Sequence, residues 1–275
     1  MLAKMPWWDP RNHADRRPLL ALKGRIKTAL RAWFEGEGFI EVECGILAVS
    51  PGNEAHLHAF ATTLTGTDGV HRPLYLHTSP EFAAKKLLAA GEEKIFEFAR
   101  VFRNREQGRL HAPEFTMLEW YRAGAPYTQV TEDTLALLGR TAEIAGNTSF
   151  RYRDAVCDVG QKAERLTVAE AFHRHAGIAL LDTLSADGAP DRDRLAAQAS
   201  NAGISITAKD NWSDIFSKAL AARVEPMLGL GRPTLLIDYP RVEAALARAK
   251  PEDADRKSTR LNSSHIPLSR MPSSA

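Results

Sequence analysis

Two β-rich runs joined by a short polar segment constrain the fold more than any other part of this sequence. The runs are KIFEFARVFRN (94–104) and EFTMLEWYR (114–122), and only nine residues separate them. Two strands joined by a segment of this length are typical of an antiparallel hairpin, and loops longer than a tight turn often carry function. The sequence therefore predicts a hairpin with a functional loop at 105–113.

The remaining periodicity predicts elements in an order that fits an α+β fold. Ser79-Pro80-Glu81 supplies an N-cap, a proline at the first helical position and a first-turn acid, which together start a helix that Gly91 ends. Apolar spacing predicts the other helices at 17–36, 128–145, 167–176, 187–203 and 212–227. Further strands are predicted at 39–43, after the loop 49–60, at 74–78 and at 233–239. This mixture favours α+β over a doubly wound parallel sheet.

One face of the second hairpin strand is chemically unusual. Because side chains alternate along a strand, Phe115, Met117, Glu119 and Tyr121 share a face. A carboxylate and a phenol among apolar residues suggest the wall of a binding pocket. A partly exposed sheet edge would carry the same residues, and spacing alone favours that alternative.

Composition and missing motifs argue against several function classes. No apolar stretch reaches the ~18 residues of a membrane span, and the polar N-terminus lacks the apolar core of a signal peptide. With two cysteines only, we expect a reducing cytoplasm. No P-loop or Rossmann glycine motif is present. His56 and His58 alternate as a metal pair would, but no third ligand is nearby, and Cys157 has no visible activating partner.

The end of the chain differs from the rest. Residues 255–275 carry a formal charge of +3, which leaves −1 for residues 1–254. Residues 1–254 therefore lack the net positive charge that is typical of proteins that bind nucleic acid. Asp255–His265 and Ser269–Ala275 also back-translate to the two ends of a common short-read sequencing adapter. We expect 255–275 to be a non-native, disordered tail; a natural Ser/Arg-rich tail is the alternative.

Three segments resemble class II aminoacyl-tRNA synthetases of the lysine-specific branch. FRNR…H-x-PEFTMLEWY (102–121) is similar to motif 2 of that family, TSPE (78–81) matches the element before it, and LKGRIKTALRAWFEGEGFIEVE (22–43) resembles motif 1. The resemblance covers about 17–254. It implies an antiparallel catalytic sheet flanked by helices in one domain, 1–254, and a homodimer built on motif 1.

Within that family, the chain resembles the short paralogues that act on elongation factor P. About 16 residues precede the helix predicted at 17–36, which carries the start of motif 1, whereas a lysyl-tRNA synthetase places an anticodon-binding domain there. The resemblance implies an ATP-dependent aminoacyl ligase that activates lysine or (R)-β-lysine with Mg²⁺ and transfers it to a lysine side chain of elongation factor P. A minimal lysine-activating enzyme that charges tRNA and a non-catalytic synthetase-like binding module stay open as alternatives.

The resemblance also implies roles for individual residues. Arg103 takes the position of the catalytic arginine, and a guanidinium there can bridge the attacking carboxylate and the α-phosphate. Residues expected to bind ATP are Arg103, Asn104, His111 and Phe115, and those expected to bind the amino acid are Ser79, Pro80, Glu81, Glu119 and Tyr121. Two simpler interpretations stay open. Glu81 could serve only to stabilise its helix, because the helix dipole favours an acid in the first turn, and Phe115 could be an ordinary core residue.

The sequence also departs from the family pattern. Arg105 stands where an acid usually reads adenine, with Glu106 displaced by one position, and Ala112 replaces a common Asn. Cys44-Gly45 stands where motif 1 commonly has Thr-Pro. Nothing after Ala254 matches motif 3 or the magnesium-binding acids, so we expect a C-terminally incomplete, inactive domain with no metal ligands of its own and exposed sheet edges.

Overall fold

The computed structural model describes residues 8–52, 57–108 and 111–243. These residues form two compact units, which we call the hairpin unit (27–126) and the helical unit (8–26 with 127–243). The predicted tail at 255–275 lies outside the described residues. Within them, no helix is long and apolar enough to cross a membrane.

Helices and strands alternate along the chain without a regular repeat. The α-helices of the described residues are α1 (Pro10–Gly36), α2 (Glu81–Ala89), α3 (Tyr127–Ala145), α4 (Val168–Ala176), α5 (Arg192–Asn201) and α6 (Trp212–Ala219). The strands are β1 (Ile40–Glu41), β2 (Leu47–Ala48), β3 (Phe60–Thr65), β4 (His71–Leu76), β5 (Lys94–Phe102), β6 (Glu114–Arg122), β7 (Ser149–Tyr152), β8 (Ala155–Asp158), β9 (Glu164–Thr167) and β10 (Thr234–Ile237).

The hairpin unit is built around β5, which pairs antiparallel with β6 and parallel with β1. A second sheet places β4 between β2 and β3. Phe96 on β5 stacks on Phe34 from the last turns of α1, with ring centroids 4.4 Å apart, and both side chains are fully buried. Burying two such rings removes a large apolar area from water, which fixes the hairpin against the helix.

The helical unit has its own apolar core. Phe172 on α4 stacks on Phe216 of α6 at 4.9 Å, and Trp212 stacks on the same ring at 5.4 Å. Beside them, β9 and β10 form a parallel pair. These rings explain why short helices are stable here, since each helix buries an aromatic or aliphatic face in one cluster.

The structure confirms the α+β class and the hairpin, whose strands β5 and β6 are antiparallel over nine residue pairs. It also contains the two parallel pairs β1–β5 and β9–β10, which the sequence did not predict. The strand predicted at 39–43 is shorter, because only Ile40 and Glu41 are in register with β5.

Two predicted helix starts were wrong, and a proline lies at or just before each observed start. Helix α1 starts at Pro10, where Asp9 accepts the backbone N–H of Arg11, and it continues through Pro18. The helix predicted at 187–203 starts only after Pro190, at the N-cap Asp191. The helix predicted at 212–227 has the predicted bounds but changes type along its length: α6 ends at Ala219, a π-helical turn covers Leu220–Val224, and a 3₁₀ turn containing Pro226 covers Glu225–Met227.

Candidate active site

The candidate site lies on one face of the β5–β6 hairpin. Register pairs Glu97 with Glu119 and Val101 with Phe115, so these four side chains share a face. The backbone N–H of Arg103 donates to the Pro113 carbonyl at 2.9 Å, which continues the pairing by one residue. By the same alternation, Arg103 belongs to the face of Phe115.

One end of this face is strongly acidic. The carboxylate of Glu119 is 7% exposed and accepts two hydrogen bonds, one from Ser79 Oγ at 2.6 Å and one from the Tyr121 hydroxyl at 2.5 Å. Glu81 is 2% exposed, and its carboxylate forms an ion pair with Lys85 Nζ at 2.6 Å. Although β6 is the outer strand of the described sheet, Glu119 is buried, so the exposed-edge interpretation does not apply to it.

The start of α2 ties two of these acids together. The helix begins at Glu81 with Pro80 as its N-cap residue, one position later than the sequence predicted. The Ser79 hydroxyl accepts the Glu81 N–H at 3.1 Å, as a capping side chain does, and donates its proton to Glu119. The serine of the TSPE element thus links the backbone of Glu81 to the carboxylate of Glu119.

Burial controls the protonation of the phenol at this end. Desolvation, followed by the negative charge of Glu119, raises the pKa of Tyr121 far above its ordinary value. The phenol therefore keeps its proton and acts as a hydrogen-bond donor. A donor held against a carboxylate fixes the orientation of Glu119 for a cationic ligand.

Two residues that sequence reasoning missed also lie at the acidic end. Glu97 is 9% exposed, and its Oε1 accepts the backbone N–H of Cys44 at 3.2 Å. Burial, followed by a side-chain hydrogen bond between the thiol and the Glu97 carboxylate, raises the pKa of the Cys44 thiol to about 12. Alternation along 94–104 could have placed Glu97 opposite Glu119, whereas nothing in the sequence indicates the contact with Cys44.

The other end of the face is cationic and aromatic. The guanidinium of Arg103 lies over the ring of Phe115, 5.3 Å from its centroid, and Nε donates to the Thr78 carbonyl at 3.3 Å. Nη2 of Arg103 is buried and has no hydrogen-bond partner among the described residues. A buried donor without a partner indicates a place for an acceptor from a ligand.

The loop beyond Arg103 contains the other expected ATP-binding residues. Asn104 orders the backbone, since its N–H donates to the His58 carbonyl at 2.6 Å and its side chain accepts the N–H of Arg105. The backbone of His111 is hydrogen bonded to Gly108. The structure records no contact that brings the side chains of Asn104 or His111 to Arg103. His56, the other half of the possible metal pair, lies outside the described residues.

Arg105, where the sequence departs from the family pattern, has an unusual backbone conformation. Arg105 has a φ of 63°, a left-handed conformation that costs energy for a residue with a side chain. The next residue, Glu106, has a buried Oε1 without a partner among the described residues. Among the described residues, Arg103 Nη2 and Glu106 Oε1 are thus one unpaired buried donor and one unpaired buried acceptor.

Comparison with known proteins identifies the family. The model of the class II tRNA synthetases (D, K and N) matches residues 2–268. The chain belongs to this family. The class II resemblance of its motifs is thereby confirmed, and so is the expected class of fold.

Individual class II relatives carry two different names. Elongation factor P–(R)-beta-lysine ligase of Klebsiella pneumoniae subsp. pneumoniae is 35% identical over 239 residues, which are 86% of this chain and 66% of that protein. The ligase of the same name from Sodalis glossinidius is 35% identical over 86% of this chain and 68% of its own length. Lysine–tRNA ligase of Pelotomaculum thermopropionicum is 34% identical over 85% of this chain and 44% of its own length. The chain thus spans about 66% of the first of these relatives.

Proposed function

We propose that the protein is an ATP-dependent ligase that activates lysine or (R)-β-lysine and transfers it to a lysine side chain of elongation factor P. The observation that carries the proposal is the charge separation along one hairpin face, with Arg103 and Phe115 at one end and Glu97 and Glu119 at the other. The names of the ligases that share 35% identity with the chain support the same activity.

The acidic end fits an amino acid with an additional positive charge. Burying a carboxylate is costly unless it is paired, and here Glu81, Glu97 and Glu119 are all at least nine-tenths buried in one unit. A substrate with two ammonium groups would offset this cost. Ser79 and Tyr121 would hold Glu119 in place for it, and Pro80 would set the start of α2 so that Glu81 lies beside them.

The cationic end fits the reaction at phosphorus. A carboxylate oxygen of the amino acid attacks the α-phosphorus of ATP, the bond to the β-phosphate oxygen breaks and pyrophosphate leaves. Arg103 would neutralise the charge that develops, and its unpaired Nη2 would donate to a phosphate oxygen. The Phe115 ring would stack on adenine. Asn104 and His111 would contact ATP from the loop.

The second step transfers the acyl group. An uncharged lysine Nζ of elongation factor P attacks the carbonyl carbon of the adenylate, an amide bond forms, AMP leaves and the proton passes to solvent. Mg²⁺ would accompany ATP and offset phosphate charge. The described residues hold no group of three or more His, Cys, Asp or Glu side chains that could bind a metal, so we assign it no ligand here. A homodimer in the cytoplasm is part of this proposal.

A matched pair of arginine variants, made in the full-length gene product, tests the activation step by ATP–pyrophosphate exchange with lysine and with (R)-β-lysine. Arg103→Ala should lower exchange by about 100- to 1000-fold, as expected for a lost transition-state donor. Arg100→Ala is the control, because Arg100 lies on the opposite face of β5 in an exposed ion pair with Glu114. Equal effects of the two variants would contradict the role of Arg103.

A transfer assay separates this proposal from its nearest alternative. Similarity to a lysine–tRNA ligase favours a second candidate function, the charging of tRNA. Labelled lysine or (R)-β-lysine should appear on elongation factor P and not on tRNA. Label on tRNA alone would support the second function. No exchange with either amino acid would favour a binding module, with which the Arg at position 105 agrees.

A further inference from the structure

We propose that His77 is a positioning residue for Arg103, whose imidazole ring fixes the end of β5 and with it the place of the guanidinium. The proposal rests on the function proposed above and deepens it, since it names a buried residue that acts on the activation step through Arg103. Neither the motifs nor the resemblance assigns a role to His77.

His77 lies directly after β4 and joins three parts of the hairpin unit. Its backbone N–H donates at 2.9 Å to the carbonyl of Ile46, the residue before β2. Its own carbonyl accepts the N–H of Phe102, the last residue of β5, at 3.1 Å. Its ring Nε2 lies 2.6 Å from the carbonyl oxygen of Arg100. His77 is 3% exposed, so water does not compete for these contacts.

The ring replaces a hydrogen bond that the backbone does not make. In a parallel strand pair, a residue donates its N–H to one carbonyl of the partner strand and accepts, with its C=O, the N–H two residues further on. His77 makes the second of these bonds with Phe102, but its N–H is used by Ile46, and Nε2 contacts the Arg100 carbonyl instead. Since a carbonyl oxygen only accepts, Nε2 must carry the proton. The imidazole thus acts as a substitute main-chain donor for β5.

The same junction determines the surroundings of Arg103. Arg103 directly follows Phe102, and its Nε donates at 3.3 Å to the carbonyl of Thr78, the residue after His77. The hydroxyl of Thr78 in turn donates to the Pro51 carbonyl at 3.0 Å. The guanidinium and the carbonyl that holds it therefore lie one residue beyond the two ends of the His77–Phe102 hydrogen bond. A shift between these two chain segments would move the guanidinium.

The expected effect follows from what a transition-state donor requires. A displacement of about 1 Å, caused by a change away from the reacting atoms, can lower a rate by about 100-fold. The contacts that bind the ground state tolerate such a shift better, so kcat should fall and KM should change little. If His77 only stabilised the fold, its loss would lower the rate whether or not Arg103 is present.

Variants of the full-length gene product test this role by ATP–pyrophosphate exchange with lysine and with (R)-β-lysine. His77→Leu removes the ring donor and should lower kcat by about 10- to 100-fold, with KM for ATP and for the amino acid changed by less than about 3-fold. His77→Gln supplies an amide N–H near the position of Nε2 and should stay within about 3-fold of the wild-type kcat. His71→Leu is the matched control, because His71 is an exposed histidine at the other end of β4, and it should change neither constant.

A double variant separates positioning from a purely structural role. In an Arg103→Ala background, His77→Leu should lower kcat by less than about a further 3-fold, because the group through which His77 acts has been removed. A further loss as large as the one in the wild-type background would show that His77 acts independently of Arg103, and would overturn the inference.

The remaining results also have defined meanings. A wild-type kcat in His77→Leu, or an equal loss in His77→Leu and His77→Gln, would overturn this inference alone. Absence of exchange in the wild-type protein would contradict the proposed function, and this inference with it. If His77→Leu does not fold by circular dichroism, His77→Asn takes its place, because its shorter amide does not reach the position of Nε2. A wild-type kcat in His77→Asn would then overturn the inference.

Discussion

At the scale of a single residue, the pKa of the Cys44 thiol depends on the negative charges at the acidic end of the site. Burial, then its hydrogen bond to Glu97, then the charges of Glu97 and Glu119 raise its pKa to about 12. At pH 8 only about one thiol in 10⁴ would be ionised, and the thiolate is the reactive form. In a Cys157→Ala background, we expect iodoacetamide to alkylate Cys44 about 1000-fold more slowly than a free cysteine.

The same shift fixes the direction of a pH effect. Because the folded-state pKa of Cys44 lies above its ordinary value of 9.0, the neutral thiol favours the folded protein. This contribution is fully present below about pH 9 and is lost as the pH rises toward about 12. Adding Glu97→Gln should lower the thiol pKa and speed alkylation at pH 8. Alkylation of Cys44 at the rate of an unperturbed thiol would contradict this description of the site.

Single residues also show what the sequence could and could not predict about the site. Strand alternation placed Glu119 beside Tyr121, and their hydrogen bond shows that this local rule was sufficient. Cys44 is 53 residues from Glu97 in the chain, and no periodic pattern links them. Pro80 takes the N-cap position that the sequence predicted for Ser79, but the Ser79 hydroxyl still accepts the Glu81 N–H; its second contact, to the Glu119 carboxylate, is one that no local rule predicts.

At the scale of elements, local patterns predicted the hairpin well and the helix ends poorly. The limits of β6 agree with the prediction at 114–122, because polar loop residues and a glycine bound a strongly alternating run. The helix predicted at 187–203 was too long, because apolar spacing does not register that Pro190 lacks a backbone donor and that Asp191 caps the helix after it. The parallel pairs β1–β5 and β9–β10 form through tertiary contacts, which the periodicity of a sequence does not predict.

A capping variant provides a test at this scale. Thr167 Oγ1 accepts the Glu170 N–H at 3.1 Å, and the Glu170 carboxylate accepts the Thr167 N–H at 2.9 Å, so both groups cap α4. Thr167→Ala should lower the free energy of unfolding by about 1 kcal/mol in urea titrations. Thr128→Ala, at an exposed position in the first turn of α3, is the matched control and should be neutral. An equal loss in both variants would argue against the cap.

At the scale of the whole molecule, the described residues form two units: the hairpin unit is built on β-strands, and the helical unit contains most of the α-helices. The helical unit joins residues 8–26 to residues 127–243, which lie far apart in the sequence. The length of the chain and the periodicity of its apolar residues do not predict this division into two units. Every residue to which we assign ligand contacts belongs to the hairpin unit, so the proposed function makes a spatial prediction for the whole chain.

Hydrogen–deuterium exchange with ATP and lysine tests that prediction. A ligand that binds only the folded hairpin raises the free energy of its opening, by about 2.7 kcal/mol at a concentration 100 times its Kd. Peptides from β5 and β6 should then exchange up to about 100-fold more slowly, with smaller changes in α4 and α6. Glu97→Gln should reduce the protection given by lysine and retain that given by ATP, because the two ligands bind opposite ends of one face. Protection confined to α4 and α6 would place the ligands on the helical unit and contradict the assignment of the site to the hairpin.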